Sequence, residues 1–194
     1  MNIIDLITNQ MGNSEVLNQL GQSVGANPDQ VQKLAQLGLP TIMEAINRNA
    51  STPEGAAALA GALDQHQDAN VEDLGGFLQN VDVNDGANIL KHVFGAKGDR
   101  VQNNLAQQTG LEGSQVSGLL QQMAPLLLGA LGKQKKEMNL DAAGVSDLTS
   151  QVTSMLGQSG GSSIMDLAAK FLDADQDGSM VDDLGKLLGK FLKR

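Results

Sequence analysis

Two stretches of this chain match each other in a fixed register of about 85 residues, and that self-similarity constrains its fold more than any single motif. Residues 16–49 read VLNQLGQSVGANPDQVQKLAQLGLPTIMEAINRN, and residues 101–134 read VQNNLAQQTGLEGSQVSGLLQQMAPLLLGALGKQ. Without a gap, Val16 pairs with Val101, Leu20 with Leu105, Gly25 with Gly110, Gln30 with Gln115, Val31 with Val116, Leu34 with Leu119 and Pro40 with Pro125. These are positions of helix cores and helix ends, not of reactive groups. No stretch alternates β-branched residues as a half-buried strand does. The reading is therefore an all-α, multi-helical bundle built from two degenerate internal repeats, with no sheet.

The apolar residues suit that architecture. They make up 41% of the chain, yet Trp and Tyr are absent and there are four Phe, so the core is aliphatic and helix-friendly. A net charge of −9 argues against a nucleic-acid surface, which needs clustered Lys and Arg. With no Cys, disulfides, thiolate chemistry and Cys-ligated zinc are excluded. The start, MNIIDLITNQ, lacks a basic region and carries Asp5, unlike a secretory leader, and no apolar run reaches membrane-spanning length. A cytoplasmic location is expected by default, with non-classical export left open.

Helix punctuation is dense. Ile3, Ile4, Ile7 and Met11 share one face of a short N-terminal helix. Asn13 or Ser14 starts a second, stopped at Gly25, and Asn27-Pro28 starts a third. That third helix is expected to falter at Gly38-Leu39-Pro40, because proline has no N–H and disfavours helix at the residue before it. Thr52-Pro53-Glu54 opens the next; 71–78, 85–94 and 98–108 read as short helices, Glu112 restarts the second repeat, and 142–156 is longer. Residues 64–70 (DQHQDAN) read as an exposed turn. The expected core includes Leu34, Ile42, Ile46, Leu59, Leu119, Leu126, Leu127 and Leu131. Residues 1–156 form the repeat-built body, 157–163 (GQSGGSS) a linker, and 164–194 a helix–acidic loop–helix tail.

The sharpest chemical pattern lies in that tail. Asp173, Asp175, Asp177, Gly178 and Ser179 follow D-x-D-x-D-G-S, with carboxylates at positions 1, 3 and 5, Gly at 6 and a ligating carbonyl at 7. This is the first half of an EF-hand calcium loop. Position 12, where a bidentate Glu belongs, is Leu184, and Asp182 or Asp183 would have to close the shell. The candidate metal ligands are Asp173, Asp175, Asp177, Ser179 and Asp183, and the expected ion is calcium. The alternative is a solvated acidic turn capping the last helix. The shorter turn at 82–86 lacks one acid and one residue and reads as a cap.

Other patterns are weaker. Ala106, Gly110 and Val116 have helix-turn-helix spacing, as do Gly21, Gly25 and Val31, but residues 112–120 hold no Lys, Arg or Asn to read bases, so two crossing core helices are expected. Residues 181–194 form a basic amphipathic helix with a stripe of Val181, Leu184, Leu187, Leu188, Phe191 and Leu192. Packing on its own domain is favoured over a membrane surface or a partner groove. His66 and His92 lack a nucleophile-elbow pattern nearby, and the glycine pairs fit no phosphate-binding fingerprint, so no catalytic or cofactor residues are assigned.

The recurring module, Leu20, Gly25, Leu34, Pro40 and Ile46, then Leu105, Gly110, Leu119, Pro125 and Leu131, resembles the bacterial YidB-like family, a domain of unknown function. The stretch from Asp85 to Gly95, with Ile89, His92 and Phe94, and the tail from Asp173 to Gly189 also look like that family's longer members. The resemblance implies helices wrapped around a buried helix and no activity. The expected function is a non-enzymatic structural or interaction protein, self-associating as a homo-oligomer and calcium-stabilised. The alternative is a peripheral membrane- or lipid-binding protein acting through 181–194.

Overall fold

The computed structural model describes residues 14–159 and 162–172, and the described residues are all-helical, with no strand. In chain order the helices are α1 (Ser14–Val24), α2 (Pro28–Ala50), α3 (Pro53–His66), α4 (Leu74–Gln79), α5 (Val83–Phe94), α6 (Gly98–Thr109), α7 (Gly113–Met138), α8 (Ala142–Ser159) and α9 (Ser162–Leu172). A 3-10 turn, Gly95–Lys97, joins α5 to α6. The sequence-read N-terminal helix over Ile3–Met11 and the C-terminal helix over 181–194 lie outside the described residues.

The helix ends follow the punctuation. Asn27 accepts from the Gln30 N–H at 3.0 Å, and Pro28 occupies the first turn, where its missing N–H costs nothing. Thr52 caps α3 through Gly55 N–H at 3.1 Å. Asp82 caps α5, accepting from Asn84 and Asp85 N–H groups, so the 82–86 turn is a helix start. Gly25 and Gly110 end α1 and α6 with φ of +71° and +72°, a left-handed conformation that glycine adopts without a Cβ clash.

Burial organises the bundle around α7. Every residue from 122 to 132 is buried, because α3 and α5 both pack on this helix and α2 and α6 complete its surroundings. The side chains Leu119, Leu127 and Leu131 are at most 1% exposed. The approach of α5 to α7 is close enough to need Gly86, where an added Cβ would sit 1.8 Å from the Gln121 carbonyl oxygen. Two reciprocal bonds lock the helix corners. The Gln30 amide donates to Gly110 O at 3.0 Å, and the Gln115 amide donates to Gly25 O at 2.9 Å.

Four local expectations are corrected. Helix α2 runs unbroken through Pro40, and α7 through Pro125. Thr41 Oγ1 donates to the Leu37 carbonyl at 2.7 Å, and Leu39, Pro40 and Ile42 are all buried, so core burial outweighs the local proline cost of about 3 kcal/mol. Helix α3 continues to His66, so residues 64–66 are helical rather than turn. Lys135 and Lys136 of α7 pair with Asp64 and Asp68 and secure that end. Leu59, expected in the core, is half-buried, while the other named core residues are buried. Helix α8 extends to Ser159, beyond the expected end at 156.

Candidate functional site

Leu59 is half-buried because it forms one wall of a groove between α3 and α5. The floor is Ile46 of α2, Ile89 of α5 and Leu128 of α7, and the cavity is about 540 Å³. Its two ends are tied by polar contacts. At one, Asn49 Nδ2 donates to the Val93 carbonyl at 3.0 Å. At the other, His66 Nε2 lies 3.6 Å from Asp85 Oδ2. Since Asn49 adjoins the start of α3 and His66 is its last residue, α3 and α5 run antiparallel along the groove. The floor is therefore apolar, while Asn88 on α5 and Gln65 on α3 make the rims partly polar, and an apolar floor of this kind suits the apolar face of an amphipathic helix.

A second cavity, about 490 Å³, shares His66 and Asp85 with the first and lies against α4. Its lining carries Asp73, Asp82 and Asp85 with Asn70 and Asn80, and no Lys or Arg. Asp73 reaches the Gly76 N–H at 3.0 Å, and Asp82 is the α5 cap, so both carboxylates are held in place by backbone donors. Beyond them, Lys133 pairs with Glu72; that hydrogen bond first, and the Lys133 charge second, hold the Glu72 carboxyl below its usual range. The same bond raises the Lys133 ammonium. A third cavity, about 320 Å³, lies among α5, α6 and α7 beside Leu90, Phe94 and Leu120.

The structure brings together residues that the sequence kept apart. His66 and His92 both line the groove, near opposite ends of its α5 wall. His92 Nδ1 contacts the Asn88 carbonyl at 2.9 Å within its own helix. Thr52 brings a hydroxyl to the groove and caps α3 about 20 Å from His66. Among the described residues no group of three His, Cys, Asp or Glu side chains converges as a metal site. Asp173, Asp175, Asp177, Ser179 and Asp183 lie outside the described residues. The second helix-turn-helix spacing forms a core crossing, with Leu105, Val116 and Leu119 fully buried. Sequence reasoning missed the groove and Asp85. Leu59 stands in a helix of small residues, Ala56 to Ala62, and that lack of bulk was the available signal.

The described residues thus define an all-helical bundle with an apolar groove on one side. Residues 5–134 match the family described as "bacterial protein of unknown function (DUF937)", and the chain belongs to that family, which includes the YidB-like proteins. No curated protein and no solved structure matches the chain. Among the described residues no helix is long and apolar enough to cross a membrane.

Proposed function

We propose that this chain is a non-enzymatic interaction protein whose groove between α3 and α5 takes an amphipathic helix. The observation that carries the reading is the groove itself, floored by Ile46, Ile89 and Leu128 and flanked at its two ends by the Asn49–Val93 and His66–Asp85 contacts. Helix-in-groove recognition needs an apolar floor on which the apolar face of the helix can lie. Self-association follows when the helix comes from a second copy. The test is titration of a labelled 14-residue Leu/Lys amphipathic peptide onto the full chain and onto Leu59→Glu. Saturable binding lost in Leu59→Glu supports the groove. Equal binding to both overturns it, because the variant is more acidic and would keep any purely electrostatic attraction for the peptide.

Two further parts of the proposal concern construction and calcium. We read the halves as degenerate repeats, supported by the reciprocal bonds of Gln30 and Gln115 and by the matched left-handed Gly25 and Gly110. Calcium is assigned to Asp173, Asp175, Asp177, Ser179 and Asp183 on the D-x-D-x-D-G-S spacing. A calorimetric titration of the full chain beside Asp175→Ala tests this. Saturable heat lost in the variant supports calcium, and no heat at millimolar calcium reduces the loop to a helix cap.

A further inference from the structure

We infer that the helix seated in the groove is the chain's own C-terminal segment, residues 181–194, from the same molecule. This rests on the reading of the groove as a helix-binding surface and names its occupant. Length, chain exit and charge polarity each point to it.

The segment carries Val181, Leu184, Leu187, Leu188, Phe191 and Leu192 at helical spacing. As a helix, 14 residues extend about 21 Å, close to the span of the α3 wall from Thr52 to His66. An apolar stripe of that length matches a groove of that length with an apolar floor.

The last described helix ends beside Arg100, a short helical stretch away from one end of the groove. Helix α9 ends at Leu172, and Arg100 Nε and Nη2 donate to the Phe171 carbonyl at 3.3 and 3.2 Å. Arg100 is in the first turn of α6, separated from Val93 by little more than the 3-10 turn Gly95–Lys97. That helical stretch covers about 10–15 Å. Residues 173–180 lie between Leu172 and Val181 and reach up to about 30 Å when extended. The linker is long enough to enter the groove at its Val93–Asn49 end.

Charge then fixes the direction. A segment entering at Val93 runs toward His66 and Asp85. Its first charges are Asp182 and Asp183, and its last are Lys190, Lys193 and Arg194. The far end of the groove adjoins the cavity lined by Asp73, Asp82 and Asp85 without a Lys or Arg. Nearby Asp64, Asp68 and Glu72 already pair with Lys135, Lys136 and Lys133 of α7. The basic end of the segment therefore meets the carboxylates that no α7 lysine serves, and complementary charge of this kind sets register.

The experiment uses the full chain, which has no native cysteine, so an engineered pair reacts alone. Ala58 lines the groove and is exposed; Ala57 is exposed and does not line it. Under mild oxidation at micromolar protein, Ala58→Cys/Leu188→Cys is expected to close an intramolecular disulfide about tenfold or more faster than Ala57→Cys/Leu188→Cys. Adding Asp85→Lys is expected to slow it. Equal rates for the two pairs overturn the inference, as do disulfide-linked dimers in place of cross-linked monomers. Co-sedimentation with phosphatidylglycerol vesicles that is lost in Leu188→Glu, without a cross-link, also overturns it and gives the segment to a membrane. The Leu/Lys peptide separates this inference from its basis. Tighter binding to Leu188→Glu than to the parent chain supports the tail as occupant. Equal binding to both without a cross-link removes the tail and keeps the groove. Binding to neither removes both.

Discussion

The side-chain amide of Gln30 donates to the main-chain carbonyl of Gly110, 80 residues away, while its oxygen accepts from the Asn27 N–H that begins its own helix. Gln115 does the same in reverse, donating to Gly25 and accepting from Glu112 N–H at 2.9 Å. Each glutamine joins the first turn of one long helix to the glycine that ends a helix in the other half. Gln30→Ala and Gln115→Ala are each expected to lower stability by about 1 kcal/mol. Their effects should add within about 0.5 kcal/mol, since the two contacts share no partner. Urea unfolding followed by circular dichroism checks this.

Two helical glycines should respond oppositely to alanine. Gly61 of α3 has open space where a Cβ would go, so Gly61→Ala should stabilise by about 0.5–1 kcal/mol through a stiffer unfolded chain and better helix propensity. Gly86 of α5 faces the Gln121 carbonyl at 1.8 Å from a built Cβ, and Gly86→Ala should cost about 3 kcal/mol or more by forcing α5 off α7. Thermal midpoints moving in opposite directions are the expected result. Equal midpoints would contradict the close α5–α7 approach.

Thr153 of α8 buries its hydroxyl without a hydrogen-bond partner. Thr153→Val keeps the branched shape and removes the orphaned group, and should raise stability by about 1 kcal/mol. A loss of that size in the urea midpoint would mean the hydroxyl has a partner in solution.

The Glu72–Lys133 pair carries a pH signature. The Glu72 carboxyl titrates below its ordinary value, so its contribution is present above the unfolded-state value and lost as pH falls through the folded one. The Lys133 ammonium titrates above its ordinary value, so its contribution is present below the unfolded-state value and lost as pH rises through the folded one. Carboxyl NMR should place the Glu72 midpoint below the ordinary glutamate range and return it toward that range in Lys133→Met. The pair is solvent-accessible and screened, so the effect on global stability should be slight.

Helix class, most caps and most of the core were legible because they are local. Asn27-Pro28, Thr52-Pro53 and Gly110 each satisfy or release backbone groups within a few residues, and the spacing of Leu119, Leu127 and Leu131 in multiples of four reports one buried face. Pro40 misled for the same reason. A local rule prices the missing N–H but not the burial of the residues on either side of it, and burial decided the outcome.

The sequence by itself determined that this chain is helical, where its helices start and which faces turn inward, since those follow from neighbouring residues and their periodicity. Only the tertiary structure decided that α3 and α5 stand apart over Ile46 and Leu128, that Leu59 borders a groove, and that Asp85 meets His66. Those outcomes depend on how close two helices can approach a third. That distance is set at single points such as Gly86, where contact is with the backbone of a residue far along the chain.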